Sequence, residues 1–279
     1  MTRIAIIAAM AGELKPLVRN WAHEGSEGVD VWHWKFDEGE WVAACAGAGV
    51  EAATRAFAAA EKDGALDMVI SVGWAGALSE DLKTGRAYSV SGVIDVRTGE
   101  RFDAESGRQA ENEKQKQVLR LAALAQDDMA HFSPAGRETP AVHERAARHL
   151  DLVTSPRVAD ETEKRRLAAG YEAHLVDMEA AGVARLAQMR GIPFYAIKGI
   201  SDGFNDKLPD FNRFIRPDGR FDMTGMVLFS ILRPWYWPSL VRMGENSRKA
   251  SQSIREAVLD FLDERVYIRE RNGYPNLKH

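Results

Sequence analysis

The sequence is poor in cysteine. Cys45 stands alone among 279 residues, which excludes an intrachain disulfide framework and any cysteine-rich zinc site. An excess of positive charge is also missing, since 37 Lys and Arg face 41 Asp and Glu for a formal net charge of -4. Binding nucleic acid through a general positive field needs the opposite balance, so no nucleic-acid partner is expected. The seven histidines, His131, His143 and His149 among them, show no metal-ligand spacing. Neither a G-x-G-x-x-G fingerprint nor a P-loop occurs, and no metal or organic cofactor is expected. The opening run Met1 to Ile7 is too short and too little apolar for a signal peptide and reads as a first strand, so a cytoplasmic setting is expected. What is present is an ordinary globular balance, 45% hydrophobic and 28% charged, long enough to bury a full core. The odd feature is seven tryptophans, two of them in Pro234-Trp235-Tyr236-Trp237-Pro238.

Strand-like and helix-like stretches alternate. Arg3 to Ala9, Asp67 to Val72 and Ile192 to Ile200 are continuous apolar runs that predict strands buried on both faces. Val29 to Asp37 and Glu40 to Ala46 predict a hairpin turning at Glu38-Gly39. Arg86 to Val96 predicts one longer strand, and Leu150 to Thr154 and His174 to Met178 two short ones. Helices are expected over Ala11 to Trp21, Glu51 to Lys62, Ala110 to Gln126, Asp160 to Ala169, Glu179 to Arg190 and Glu245 to Arg265. The alternation favours an α/β domain around a central, mixed and largely covered sheet. Residues 1–206 form the expected core, and 207–279 a helical, aromatic-rich extension packed on the same domain.

Ligands of open α/β sheets sit at the carboxyl ends of strands, and four such places carry polar groups. Glu13 follows the first strand, in a first helical turn where an acid also simply complements the helix dipole. Val72-Gly73-Trp74-Ala75-Gly76-Ala77 reads as a glycine-rich turn after a strand, where backbone can approach a ligand. Asp177-Met178-Glu179 stands where a strand meets a helix, and Asp177 there also suits an N-cap. Lys198-Gly199-Ile200-Ser201-Asp202 ends a buried strand in an ionisable pair, and such groups need a partner or a task.

Taken in order, Ile4-Ala5-Ile6-Ile7-Ala8-Ala9-Met10 with Glu13, Gly73-x-Ala75-Gly76, Asp177-Met178-Glu179-Ala180 and Gly199-Ile200-Ser201-Asp202 resemble the purine nucleoside phosphorylase/nucleosidase superfamily, nearest its methylthioadenosine/S-adenosylhomocysteine nucleosidases. The resemblance covers about residues 1–206. It implies a three-layer α/β/α fold with a central mixed twisted sheet, cleavage of an N-glycosidic bond with release of adenine, a small-molecule nucleoside as partner, and a homodimer or higher homo-oligomer. By the same resemblance Asp202 would protonate the purine N7, Glu179 would bind the ribose hydroxyls, Met178 would pack on the ribose face and Glu13 would activate the attacking water. A general acid suits this reaction because the base leaves poorly as an anion. Lys198 stands where the nucleosidases have Arg and would pair with Glu13. Gly76, Val158 and Ser201 fall at substrate-binding positions, Val158 near an aromatic that stacks on adenine. Asp160 would either recognise the base or cap the following helix.

Two departures bear on the nucleophile and the pocket. Related phosphorylases hold phosphate with an Arg and a Ser at positions that here read Ser71 and Trp74. A doubly charged nucleophile needs cations or convergent N–H donors, so water is favoured. Trp74 also replaces a small residue of the nucleosidases and counts as a substrate-binding position. In the extension, Met223 to Val241 carries Arg233 as its only charge. It reads either as core helices or as an aromatic patch for peripheral membrane contact. With Arg233-Pro234-Trp235-Tyr236-Trp237-Pro238 and Asn246-Ser247-x-Lys249-Ala250-Ser251 it resembles the hopanoid-associated branch of the superfamily, which implies a lipid-linked nucleoside, adenosylhopane. The indoles at 74, 235 and 237 are then expected to shape an apolar extension of the nucleoside site. A methylthioadenosine/S-adenosylhomocysteine nucleosidase, a phosphate-dependent phosphorylase and a nucleoside- or lipid-binding protein without turnover remain open alternatives.

Overall fold

The apolar stretch Thr2–Ala8 forms β1, covered on both faces, and the rest of the sheet is laid out from it. The computed structural model describes residues 2–26, 28–36, 39–104, 149–207, 209–216, 218–222, 224–226, 229, 233 and 237–271. To one side of β1 lie β4 (Gly39–Cys45), β3 (Val29–Phe36) and β2 (Ala22–Ser26). To the other lies β5 (Met68–Ala77), followed by β10 (Leu175–Asp177), β9 (Asp151–Thr154), β7 (Gly92–Asp95) and β8 (Arg101–Asp103). β11 (Phe194–Asp202) pairs with β5 and with β6 (Ala87–Ser89), completing a mixed eleven-stranded sheet.

Helices cover both faces. α2 (Val50–Glu61) and α4 (Ala180–Arg190) bury Ala52, Ala53, Ala56, Phe57, Ala180, Ala181, Ala184 and Ala187 on one face. Small residues let these two helices lie close to the strands and to each other. On the opposite face α5 (Trp237–Arg271) packs Ile254, Val258 and Leu262 against Ile4, Ile6, Ile70 and Ile197, with Leu14, Leu17 and Val18. The described residues also include a single turn α1 (Ala11–Leu14), α3 (Glu161–Tyr171) and a 3-10 turn at Phe211–Phe214. The expected three-layer α/β/α architecture is what the chain adopts.

The strand β5 positions the site. β11 runs along one of its edges from Val69 to Gly76. The other edge is taken by parallel β1 at Met68–Ser71, then by antiparallel β10 at Gly76 and Ala77. Between these partners a crevice opens at the carboxyl end of β1, the place where such sheets hold ligands. On β11 the register slips by one residue, with Ile200 opposite Ala75 and Asp202 opposite Gly76. Ser201 is therefore an extra residue, as in a β-bulge.

Several expectations need correction. The helix expected over Ala11 to Trp21 stops at Leu14. Pro16 has no N–H to continue it, and after a stretch of turns the chain enters β2, a strand absent from the expected elements. Gly73 to Gly76 is not a turn but part of β5, where it keeps pairing with β11. The strand expected over Arg86 to Val96 breaks into β6 and β7 because the chain changes partners, the Val90 N–H bonding Ala196 O and the Ser91 N–H bonding Leu150 O. The last helix begins at Trp237 rather than Glu245. The helix expected over 110–126, together with His131, His143, Pro234, Trp235 and Tyr236, lies outside the described residues. Four tryptophans sit far from the crevice, on the β2–β4 side of the sheet. Trp21 lies 6.3 Å from Trp34 and 6.1 Å from Trp41, and Trp32 stacks on His23 at 4.7 Å.

Because α5 shares its core with β1 and β11, I254A is expected to destabilise the whole domain. Removing this buried side chain should cost about 2–5 kcal/mol and shift a single urea transition followed by far-ultraviolet circular dichroism. A separate early transition for α5 would contradict that coupling.

Candidate active site

The carboxyl ends of β1, β5, β10 and β11 border a cavity of about 450 Å³. Its polar end is built from Glu13, Asp177, Glu179, Asp202, Lys164 and Ser201, and the rest of its wall is mostly apolar. Glu13 enters from the first turn of α1. One oxygen, Oε2, accepts the N–H groups of Ala9 (2.8 Å) and Met10 (2.9 Å), and Oε1 accepts the Trp74 N–H at 2.8 Å. A side chain at residue 73 would not fit, since a Cβ on Gly73, whose φ is +141°, would meet Glu13 Oε1 at 3.0 Å. Burial raises the Glu13 carboxyl above its ordinary range, and the three backbone donors together with the charge of Lys198 oppose that shift.

Asp177 does what a helix cap does and more. Its Oδ2 accepts the Ala180 N–H at 3.0 Å, and its Oδ1 accepts the Thr154 hydroxyl at 2.8 Å. Its charge is met by Lys198, whose Nζ stands 3.0 Å from Oδ2 and also donates to Ser71 Oγ (3.0 Å) and Val72 O (3.2 Å). This corrects the expectation for Lys198. It is fully buried behind the cavity wall, and its ion-pair partner is Asp177, not Glu13. Glu179, one residue past the half-buried Met178, accepts the Gly49 N–H at 2.8 Å. Burial first, then the Asp177 charge, push its carboxyl up to about 8, so it keeps its proton at neutral pH and can donate to a ligand oxygen.

Asp202 is half of an ionisable pair, but its partner is Lys164 and not Lys198 of its own strand. Its Oδ2 takes a short contact from Lys164 Nζ, and its Oδ1 accepts the Ser201 hydroxyl at 2.6 Å. Lys164 also donates to Gly203 O at 2.6 Å. Gly76 leaves room for the pair, because a Cβ there would stand 3.1 Å from Asp202 Oδ2 and 3.2 Å from Lys164 Cε.

Glu13, Trp74, Gly76, Val158, Met178, Glu179, Ser201 and Asp202 all border this one cavity, and Lys198 does not. Val158 is pinned by Asn212, which accepts its N–H at 2.7 Å and donates to its carbonyl at 3.0 Å. Asp160 caps α3 by accepting the Glu163 N–H at 2.8 Å, and it is not part of the wall. Trp74 lines the cavity with its indole N–H donated to Ser251 Oγ (2.9 Å) and Ser247 O (3.1 Å) of α5. The expectation for the other indoles is not met as stated. Trp237 is 51% exposed and absent from the wall, and Trp235 lies outside the described residues. The extension nevertheless supplies the wall, through Phe211, Ile215, Phe221, Met226 and Met243. These residues and Lys164 carry no motif in the sequence. The signal for Lys164 was its place on the same helical stripe as Leu167, since both are buried on α3.

A family model described as the phosphorylase superfamily matches residues 3–220. No curated protein sequence matches the chain. Among solved structures, the chain is similar to a Helicobacter pylori MTAN mutant with 5′-methylthioadenosine in its active site, at 15% identity and a TM-score of 0.60, covering 95% of this chain and 99% of that one. It is similar to Arabidopsis thaliana 5′-methylthioadenosine nucleosidase at 14% identity and a TM-score of 0.62, covering 94% and 95%. Futalosine hydrolase of Helicobacter pylori gives 16% identity and a TM-score of 0.58, covering 94% and 98%. At these identities the likeness is one of fold.

The raised Glu179 carboxyl has a measurable consequence. It ionises near 8 in the fold against 4.5 for the ordinary group, so its contribution to stability is fully present below about pH 4.5 and is lost as pH rises through about 8. E179Q cannot ionise. Between pH 4.5 and 8 its urea midpoint should therefore fall less steeply than that of the wild type, and parallel slopes would show that Glu179 does not keep its proton.

Proposed function

The chain belongs to the phosphorylase superfamily, and from that premise we propose that it hydrolyses the N-glycosidic bond of an adenosyl-type nucleoside bearing an apolar 5′ substituent, releasing adenine. The observation that carries this reading is one cavity with Glu13, Glu179 and Asp202 at its polar end and an apolar remainder. Asp202 delivers a proton to the purine N7 as the bond to C1′ lengthens. Glu179 binds the ribose hydroxyls, with Met178 against the sugar face. Glu13, a carboxylate made more basic by burial, takes a proton from the attacking water. The Glu13 carboxylate also stabilises the positive charge that grows on the sugar.

Water is preferred to phosphate on electrostatic grounds. The three backbone N–H groups of Ala9, Met10 and Trp74 would suit an anion, and Glu13 already occupies them. Lys198, the nearest cation, is tied to Asp177, and Ser71 to Lys198. Among the described residues, the cations that line the cavity are also engaged, Lys164 with Asp202 and Arg157 with Glu163 at 3.6 Å, so little is left to neutralise a phosphate.

The apolar wall supports the 5′ assignment. Phe211, Ile215, Phe221, Met226 and Met243 offer a surface that a hydrocarbon tail would bury at about 25 cal/mol per Å². A polycyclic lipid tail such as that of adenosylhopane has this chemistry. No helix among the described residues is long and apolar enough to cross a membrane.

The test is adenine release from adenosine, 5′-methylthioadenosine and an adenosine with a long 5′ alkyl chain, each with and without phosphate. Release without phosphate and a kcat/KM that rises with chain length are expected. A strict phosphate requirement would overturn hydrolysis, and preference for the methylthio compound would remove the lipid assignment. Binding without release from any of the three would remove the enzyme. D202N should lose about 100-fold or more in kcat while nucleoside binding measured by calorimetry persists.

A further inference from the structure

We propose that Lys164 is the proton source for the leaving purine, handing an ammonium proton through Asp202 to N7. The inference rests on the assignment of Asp202 as the acid and deepens it. Lys164 is among the largest fully buried side chains of the molecule and borders the cavity. Among the described residues its one ion pair is with Asp202. A buried lysine on a charged helix has no structural need to point into a ligand cavity, and burying an ammonium is costly unless it is paired.

The hydrogen bonds couple Asp202 to a proton donor of its own. Its Oδ2 accepts from Lys164 and its Oδ1 accepts from Ser201. Both oxygens are served by donors, and one of these is the ammonium of its ion-pair partner. The nearest proton able to leave is on Lys164 Nζ, which the Gly203 carbonyl holds in line at 2.6 Å. The step balances as follows. Nζ gives one proton to Asp202 while Asp202 gives one to N7, so lysine ends neutral and the aspartate stays a carboxylate. The C1′–N9 bonding pair moves onto the purine, which leaves as neutral adenine. The water that joins C1′ loses its proton to Glu13, and Glu13 returns a proton to Lys164 through solvent. No oxidant, metal or further reactant is needed.

Arginine at this position separates charge from proton donation, because a guanidinium keeps the positive charge but does not give up its proton. Adenosine is compared with 4-nitrophenyl ribofuranoside, whose phenolate leaves without protonation, in the wild type, K164R and D202N. K164R should keep KM for adenosine within about threefold and lose about 100-fold in kcat, with a loss under about fivefold on the nitrophenyl compound. Near wild-type turnover of adenosine by K164R, or equal losses on both substrates, overturns the proposal. Should K164R fail to fold, K164A is assayed with added propylamine. Saturable recovery of adenosine turnover supports the relay and its absence overturns it. D202N separates the two readings. If D202N is inactive while K164R is active, only the role of Lys164 falls. If D202N itself turns adenosine over at the wild-type rate, the acid assignment falls and the relay with it.

Discussion

Buried charge governs this site. Four carboxyl groups, Glu13, Asp177, Glu179 and Asp202, are buried together with two ammonium groups, Lys164 and Lys198. Full ionisation of these six groups would leave two negative charges in excess at buried positions, which low dielectric makes expensive. The structure divides the groups into two kinds. Asp177 and Asp202 each take one lysine. Glu13 and Glu179 have none and rely on backbone N–H donors, and burial raises both carboxyls. A site with this surplus of acids favours added positive charge. A sugar that becomes cationic as its bond to the base breaks is the species it would welcome most.

The strand β5 makes this crowding possible by changing partners along one edge, from β1 to β10. The gap between them lets α1 and the Glu13 carboxylate reach the backbone of Trp74. α5 then closes the opposite side. Its Ser247 and Ser251 hold the Trp74 indole, and the hydroxyl of Ser251 also reaches Gly12 O at 3.3 Å. The same helix that fills the core beside β1 therefore sets the position of a ring in the pocket wall, so packing and pocket shape are not independent here.

Much of this was legible in the sequence. Apolar runs ending in Glu13, Asp177-Met178-Glu179 and Ser201-Asp202 marked strand ends, and the sheet does gather them. Two things were not legible. Which lysine meets which acid depends on distances across the sheet, so Lys198 was paired with Glu13 when its neighbour is Asp177. The composition of the wall was also hidden. Tryptophan drew attention because it is rare, yet Trp21, Trp32, Trp34 and Trp41 cluster on the β2–β4 side, while common Phe, Ile and Met residues form the wall. The break between β6 and β7 was invisible for the same reason: the change of partner from β11 to β9 is a tertiary event, with no mark in local periodicity.

The slipped register on β11 reaches further than local geometry. In a regular strand neighbouring side chains point to opposite faces. The extra residue at Ser201 moves Asp202 into line with Gly76, where its oxygen fills the space a Cβ would take. The address of the acid is thus set by counting positions along the chain. Substitution leaves that count intact, whereas loss or gain of one residue on this strand would turn the carboxyl to the other layer of the sandwich. Sequence drift can be wide around such a site while its length stays frozen.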